Sequence, residues 1–211
     1  TIGSLTGEAC PQPTRRPIAV MLASDPIARP LSGISEADLV IEMPVTPDGV
    51  TRMMAIFQCQ TPEEIGSIRS ARNDFIPLAA GFGAILAHWG GEYDALAKLN
   101  EGIIDNVDAM RYEGTAYYRK PGVKPPHNGF TTLEKLYKVA EDRDYNSSTS
   151  FNGYQRGIDK KPRNVASLAN KITLPYQTPY DVVWEYDTVI KQYRRTRNNQ
   201  AELDRNGKAV S

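Results

Sequence analysis

Four short, continuously apolar runs constrain the fold of this chain more than any other feature. None of them alternates cleanly between apolar and polar residues. Continuous apolar runs of this length are typical of strands buried on both faces, as in a sheet covered by helices. They therefore predict an α/β fold with a buried central sheet. The runs are PIAVMLA (17–23), DLVIEMP (38–44), TRMMAIFQ (51–58) and AILAHWG (84–90).

Three segments between and after these runs have helical spacing. SARNDFIPLAAGF predicts a helix that Ser70 caps and that Pro77 kinks or restarts. EYDALAKLN (92–100) predicts a shorter helix. TTLEKLYKVAEDRDY predicts the clearest one, with Thr131 and Glu134 in the positions of a capping box. These helices would flank the sheet.

The character of the sequence changes after about residue 145. A polar, turn-rich stretch (146–164) is followed by NKITLPY and YDVVWEYD, which alternate as strands of an antiparallel sheet do. Asn206-Gly207 is a hairpin turn signal, but the sequence ends before a full return strand. We expect an extended lead-in over 1–16, an α/β domain over 17–150, and the start of an incomplete β-rich domain over 151–211.

The charge balance excludes one class of function. Lys plus Arg number 25, and Asp plus Glu also number 25. A protein that binds nucleic acid nonspecifically normally carries a basic excess, so we expect no nucleic-acid partner. Any anion site has to be a local cluster. The chain also lacks a run of about 18 apolar residues, so no membrane span is expected.

Two arginines define the strongest candidate site. EIGSIRSARNDF places Arg69 and Arg72 close to Ser70, where an apolar run gives way to helical spacing. If Ser70 caps a helix, an anion would be favoured there by the free N–H groups and by both guanidinium groups. The alternative is that each arginine pairs with a carboxylate such as Asp74 or Glu64. The sequence leaves both interpretations open.

Two further charges lie within apolar runs. Glu42 interrupts DLVIEMP and Arg52 opens TRMMAIFQ. A charge in such a run is rarely buried without a partner. Either the two side chains pair across neighbouring strands, or they contribute to a ligand site.

The two histidines lie in segments that suit a site. His88 ends a predicted strand, and Gly90-Gly91 would let backbone N–H groups approach a phosphate closely. PPHNGF presents His127 and Asn128 on a stiff loop. Both segments also suit ordinary tight turns. No nucleophile motif or metal-binding motif accompanies them, so no catalytic residue is assigned.

The ordered set RPIAVML, ARPLSGISEADLVIE, GVTRMMAIFQ, IGSIRSAR, AILAHWGG and PHNGF resembles the YerB-like family of bacterial lipoproteins, a family of unknown function. The resemblance covers nearly the whole chain. It implies an extracytoplasmic protein with an N-terminal lipid tether, an α/β domain and a second, β-rich domain. The ligand-binding set that we predict from these positions is Arg29, Asp38, Glu42, Arg52, Arg69, Ser70, Arg72, His88, Gly90, Gly91, His127 and Asn128.

A fainter likeness concerns only the layout of the segments, which is similar to that of the LytR-CpsA-Psr cell-wall ligases. Those enzymes hold a polyprenyl pyrophosphate with arginines and a magnesium-bound aspartate. By this analogy Arg69 and Arg72 would clamp a pyrophosphate, and Asp38 would bind a divalent cation. Apart from that cation, no cofactor is expected.

The family resemblance also bears on Cys10 and Cys59, the only cysteines. From the residues alone they are either two free thiols or one disulfide. An extracytoplasmic location, as the resemblance implies, is one in which disulfides persist. We therefore predict a Cys10–Cys59 disulfide.

These observations lead to one expected function and two alternatives. We expect a binding or accessory protein of the bacterial envelope with an arginine-lined site for an anionic small molecule or envelope component. It would contact the membrane only through a lipid anchor that is absent from this chain. The alternatives are an enzyme that acts on a phosphorylated envelope lipid or glycan, and a non-catalytic scaffold.

Overall fold

The computed structural model describes residues 1–148, 151, 153–154 and 169–211. In this part of the chain, twelve strands form three sheets. The strands are β1 (Ile18–Ala23), β2 (Leu39–Pro44), β3 (Thr51–Phe57), β4 (Ile65–Gly66), β5 (Ile85–His88), β6 (Asn106–Asp108), β7 (Tyr117–Arg119), β8 (Gly129–Thr131), β9 (Lys171–Leu174), β10 (Val182–Asp187), β11 (Gln192–Arg197) and β12 (Gln200–Ala201).

The central sheet has five strands in the order β2-β3-β1-β5-β6. β3 pairs antiparallel with both β2 and β1, whereas β5 pairs parallel with both β1 and β6. Every residue of β1, β3 and β5 is buried, as their continuous apolar sequences predict. β2 differs, because its residues are partly exposed. It has a neighbour on one side only, although its side chains contact the apolar cores on both faces of the sheet.

Helices cover the central sheet as predicted, but two of their boundaries differ. The helices are α1 (Phe75–Gly81), α2 (Tyr93–Asn100), α3 (Ala109–Tyr112) and α4 (Leu133–Asp142). Ser70 does not cap α1, because Ala71 is held in a β-bridge by backbone bonds from Ala71 N to Gly90 O and from Glu92 N to Ala71 O, and a turn at residues 73–74 separates it from Phe75. Pro77 therefore lies in the first turn of α1, where its missing N–H leaves no helical bond unmade.

The cap of α4 is shifted by one residue from the prediction. The Thr132 hydroxyl accepts the N3 bond from Lys135 N. Thr131 instead belongs to β8, and its hydroxyl donates to the Ala116 carbonyl at 2.7 Å. The local pattern of a capping box does not show which of two adjacent threonines is the N-cap. Thr131 is excluded only because it belongs to β8, and β8 pairs with residues distant in sequence.

Two smaller antiparallel sheets complete the structure. β4, β8 and β7 form one, and β12, β11, β10 and β9 form the other, in those orders. The predicted turn at Asn206-Gly207 is present, with Gly207 at φ +86° and its N–H bonded to the Asp204 carbonyl. The sequence predicted no return strand. However, Val210 N donates to Glu202 O and Arg195 N donates to Val210 O, so a short return segment closes the turn.

The predicted Cys10–Cys59 disulfide is confirmed, with 4.9 Å between the two Cα atoms. It joins the N-terminal lead-in to the segment that follows β3. Gly3 lies directly against it, because a Cβ added at that position would be 2.6 Å from the Cys59 sulfur. Most of the polar, turn-rich stretch (146–164) lies outside the described residues.

Candidate functional site

The carboxyl end of β1 brings distant charges together. β3 runs antiparallel to β1, with Arg52 opposite Ala23, so the first residues of β3 lie beside the last residues of β1. Asp25 follows β1 after one intervening residue, Ser24. Arg69 lies beside the same end of β1, because its N–H donates to Met21 O and its carbonyl accepts from Trp89 N. The carboxyl end of β1 thus positions Arg52, Asp25 and Arg69. Their placement does not depend on a helix N-terminus.

Arg52 is the deepest charge in this group, with only 2% of the residue exposed. Its Nε and Nη1 atoms are buried and have no hydrogen-bond partner. The nearest carboxylate is Asp25, whose Oδ2 lies 3.8 Å from Arg52 Nη1. Burial lowers the pKa of Arg52 to about 10, assisted by the positive charges of Arg69 and Arg72 and opposed by Asp25. This guanidinium is therefore held in an unfavourable environment.

Arg69 and Arg72 complete the positive lining. Arg69 Nε lies 4.0 Å from Asp25 Oδ2, beyond hydrogen-bond distance, and about a quarter of this side chain is exposed. Arg72 Nη1 forms a salt bridge with Glu92 at 3.1 Å, so Arg72 pairs with a carboxylate as the alternative interpretation expects, although the partner is neither Asp74 nor Glu64. Both Arg69 Nε and Arg72 Nε are buried without a partner.

His127 faces the same charges. It is 7% exposed, and its Nδ1 atom is buried without a hydrogen-bond partner. Burial lowers the pKa of His127, and the charges of Arg69 and Arg52 lower it further while Asp25 opposes them. The imidazole is thus biased toward its neutral form near pH 7, in which one ring nitrogen is an acceptor and the other a donor.

We call Asp25, Arg52, Arg69, Arg72 and His127 the arginine cluster. With His127 neutral, its three arginines face two carboxylates, Asp25 within the cluster and Glu92 beside it, which leaves one positive charge. Buried donors are normally bonded in folded proteins. The cluster holds four unpartnered guanidinium nitrogens, which are the type of donor that the acceptors and negative charge of an oxyanion would satisfy.

Asp25 and Tyr180 belong to this region but were not among the predicted ligands. Asp25 is the second residue after a fully buried strand, and a charge just beyond the carboxyl end of such a strand is a usable signal. Tyr180 comes from the C-terminal part of the chain. Burial and the Asp25 charge raise its pKa, whereas Arg29 and Arg52 oppose that shift. No local sequence pattern connects Tyr180 with the cluster.

His88, Gly90 and Gly91 lie near the cluster but have structural partners. His88 is fully buried, its Nδ1 lies 2.8 Å from Gly90 O, and its Nε2 lies 3.2 Å from Asn106 Oδ1. Gly90 N donates to Asp108 Oδ1. A Cβ on Gly91 would meet Leu96 at 3.1 Å. Both ring nitrogens of His88 are engaged within the protein, so the predicted ligand role of His88 finds no free ring atom here.

Asp38 lies at the opposite end of the sheet from the cluster. Its Oδ2 accepts hydrogen bonds from Gln58 N at 2.6 Å and from Cys59 N at 2.8 Å. Gln58 follows the last residue of β3, which places Asp38 roughly 20 Å from Arg52 by the rise of a strand. Asp38 therefore holds the backbone just after β3 and is not in position to assist the arginines. Among the described residues, no group of three or more His, Cys, Asp or Glu side chains is arranged to hold a metal ion.

Glu42 pairs with the C-terminal sheet and not with Arg52. It accepts two bonds from Arg197, both at 2.7 Å, and contacts Arg195, while Thr51 donates to it. Glu202 contacts the same two arginines. Burial alone raises the pKa of Glu42, but the hydrogen bonds and charge of Arg197 outweigh it and hold the pKa below its ordinary value. We call Glu42, Arg195, Arg197 and Glu202 the buried ion network.

The remaining predicted ligands, Arg29, Asn128 and Ser70, have different surroundings. Arg29 donates to Ser24 O at 2.6 Å and to Pro179 O at 3.2 Å, and burial lowers its pKa to about 10, as does the charge of Arg197. It therefore ties the edge of the cluster to the C-terminal part of the chain. Asn128 accepts from Arg119 at 3.1 Å. Ser70 is partly buried.

Comparison with known proteins identifies the relatives of this chain. Residues 5–146 match the model of a domain described as "Protein of unknown function (DUF3048) N-terminal domain". The chain belongs to the DUF3048 family. The DUF3048 chain is 36% identical over 202 residues to "Putative lipoprotein YerB" of Bacillus subtilis (strain 168), covering 93% of this chain and 60% of that protein. It thus spans less than two thirds of the length of this relative.

A solved structure agrees with the fold. The crystal structure of the YerB protein from Bacillus subtilis superposes with a TM-score of 0.86 at 32% identity, covering all of the DUF3048 chain and 71% of the solved one. The resemblance inferred from the sequence motifs and the predicted α/β fold class are therefore confirmed. Among the described residues, no helix has the length and apolar character that crossing a membrane requires.

Proposed function

We propose that this chain is an anion-binding protein of the bacterial cell envelope and that the arginine cluster takes a phosphate-class oxyanion. The observation that carries the proposal is Arg52, a guanidinium that is 2% exposed and has two unpartnered nitrogens. A guanidinium that served only the fold would be expected to bond a carboxylate directly, as Arg197 does with Glu42. An oxyanion between Arg52 and Arg69 would satisfy the donors that the protein leaves free.

The outer residues of the cluster are more accessible than Arg52. Arg52 forms a buried floor, whereas the side chains of Asp25 and Arg69 are 21% and 24% exposed. A ligand can therefore reach the floor past the more accessible residues. The remaining positive charge of the cluster favours an anion over a neutral molecule.

Two observations support a location outside the cytoplasm. A relative at 36% identity bears the name lipoprotein, and the Cys10–Cys59 pair is arranged as a disulfide. Disulfides persist in oxidising compartments. The proposed protein is held at the membrane by an N-terminal lipid, and its ligand is an anionic small molecule or a phosphorylated component of the envelope.

Calorimetric titration with inorganic phosphate and with pyrophosphate tests the anion site. We expect Arg69→Ala to weaken binding by about 10- to 100-fold, since a charge-assisted hydrogen bond contributes about 1.5–3 kcal/mol. The matched control is Arg194→Ala, an arginine that is 56% exposed and pairs with Asp187 on the C-terminal sheet. It should leave the affinity unchanged. If neither anion binds the wild-type protein, the scaffold alternative replaces this proposal.

An enzyme that acts on a phosphorylated envelope lipid or glycan is the second candidate. It is favoured by the unpartnered Asp25 Oδ2 and His127 Nδ1 atoms, which place a free carboxylate oxygen and a free imidazole nitrogen beside the arginines. Release of phosphate from an aryl phosphate, lost in His127→Gln but retained in Arg194→Ala, would support this activity. Anion binding without any turnover would leave the binding function alone.

A further inference from the structure

We propose that Asp25 restricts the arginine cluster to oxyanions that still carry an acidic hydrogen. The favoured ligands are then inorganic hydrogen phosphate and phosphomonoesters in their monoanionic form, and the disfavoured ones are sulfate and phosphodiesters. This inference deepens the proposed anion site and rests on it.

The position of Asp25 Oδ2 carries the argument. The atom is buried and accepts no hydrogen bond, although it lies 3.8 Å from Arg52 Nη1 and 4.0 Å from Arg69 Nε. Both distances exceed hydrogen-bond length. The carboxylate therefore faces the same space as the free donors but does not use them. An oxyanion that bonds to both arginines would bring one of its oxygens close to this carboxylate oxygen.

Two oxygens in contact require a hydrogen between them. A carboxylate only accepts hydrogen bonds, and a fully deprotonated oxyanion only accepts them too. Their contact would be repulsive and, in a buried site, poorly screened. If the ligand keeps one O–H, that group donates to Asp25 and the repulsion becomes a short charge-assisted bond. A site that holds a buried acceptor rejects an analogue without the matching donor.

The other groups that face Asp25 do not remove this requirement. Arg52, Arg69 and Arg72 supply donors for the remaining oxygens of a ligand. His127 and Tyr180 are near enough for the charge of Asp25 to influence their ionisation. The described contacts include no hydrogen bond from either of them to Asp25 Oδ2. Its acceptor capacity is therefore open to a ligand.

Hydrogen phosphate and sulfate form a matched pair for the test. At mildly alkaline pH both are tetrahedral dianions, so the arginines alone cannot discriminate between them. Calorimetry on the wild-type protein should give an affinity for phosphate about 10- to 100-fold above that for sulfate, in line with the cost of an unmatched hydrogen bond to a charged group. In Asp25→Asn the ratio should fall toward one, because the amide can donate to a sulfate oxygen.

Controls keep the test decisive. Asp94→Asn alters an exposed carboxylate on α2 and should keep the wild-type ratio. Circular dichroism and thermal unfolding establish that Asp25→Asn is folded. If it is not, the wild-type protein with glycerol phosphate decides instead. A monoester loses its last acidic hydrogen above about pH 6, so its affinity should fall relative to that of inorganic phosphate as the pH rises through that value, because any effect of His127 protonation is common to both ligands.

The outcomes separate this inference from the anion site itself. Equal binding of sulfate and phosphate by the wild-type protein overturns the role of Asp25 but leaves the anion site intact. Binding of neither overturns both. Phosphate selectivity with tight glycerol phosphate binding below about pH 6 supports a phosphorylated headgroup as the ligand. The same selectivity without ester binding supports free phosphate, and either result supports the requirement for an acidic hydrogen.

Discussion

Arg52 and Asp25 carry opposite charges and lie close together, yet they do not bond: 3.8 Å separates Arg52 Nη1 from Asp25 Oδ2, and both atoms are buried without a hydrogen-bond partner. In the buried ion network of the same molecule, Arg197 Nη2 approaches Glu42 Oε2 to 2.7 Å. The contrast distinguishes an arginine that stabilises the fold from one that is left available. It also suggests how the two can be separated experimentally.

We expect Arg52→Met to stabilise the protein in the absence of phosphate by about 1–3 kcal/mol, because it removes a buried charge that lacks a bonded counter-ion. The variant should no longer gain stability when phosphate is added. Chemical denaturation with and without phosphate measures both effects. Arg197→Met is the matched control and should lose about 3–5 kcal/mol, since it strands Glu42. Equal destabilisation by the two substitutions would show that Arg52 is structural.

Binding of phosphate should raise the pKa of His127. In the free protein the pKa lies below 6.5, because burial and the charges of Arg69 and Arg52 disfavour the imidazolium. A bound anion offsets those charges and favours protonation. NMR titration of the ring protons follows this shift, and His127→Gln assigns the signals against those of His88. A pKa unaffected by saturating phosphate would place the anion elsewhere.

Glu42→Gln should destabilise the protein at neutral pH and make its stability less sensitive to acid. The pKa of Glu42 is held below its ordinary value of 4.5, so the stability that it contributes is present above that value and is lost as the pH falls through the lower, folded-state pKa. Removing one partner of a buried pair costs about 3–5 kcal/mol. Urea denaturation between neutral and acidic pH should show the wild type and the variant converging at low pH. A constant gap would contradict this assignment.

Loss of the disulfide should destabilise the fold without affecting the arginine cluster. The bond closes a loop with a sequence separation of 49 residues. On the chain-entropy account a loop of that size contributes about 4 kcal/mol. Cys10→Ser, Cys59→Ser and the double variant should be similarly destabilised, and each should retain phosphate affinity at a temperature where it is folded. A Cys10→Ser variant as stable as the wild type would show that the loop is already ordered without the bond.

The sequence predicted those features that depend on neighbouring residues. Runs such as IAVMLA identify buried strands because burial on both faces leaves no polar position, and EYDALAKLN identifies α2 through its spacing. The helix predicted from SARNDFIPLAAGF is longer than α1, since the segment before Phe75 bonds to residues near Gly90. Such long-range backbone bonding has no local signal.

The residues of the candidate site also divide into those with a local sequence signal and those without one. Arg69 and Arg72 were found because they are adjacent in sequence to a strong motif, and Arg52 because it opens an apolar run. Tyr180 was missed, since 128 residues separate it from Arg52 (180 − 52). Glu42 was given the wrong alternative partner for the same reason, because Arg197 lies 155 residues away. The sequence contains the charges but not their pairing.

The buried ion network also limits how this fold can be recombined in evolution. The segment that defines the family, residues 5–146, contains Glu42, whereas Arg195, Arg197 and Glu202 lie beyond it. The end of the matched segment at residue 146 therefore separates members of a set of mutually neutralising charges. Any other module joined to this segment has to deliver guanidinium groups to the same carboxylate, or arrive together with an apolar replacement for it.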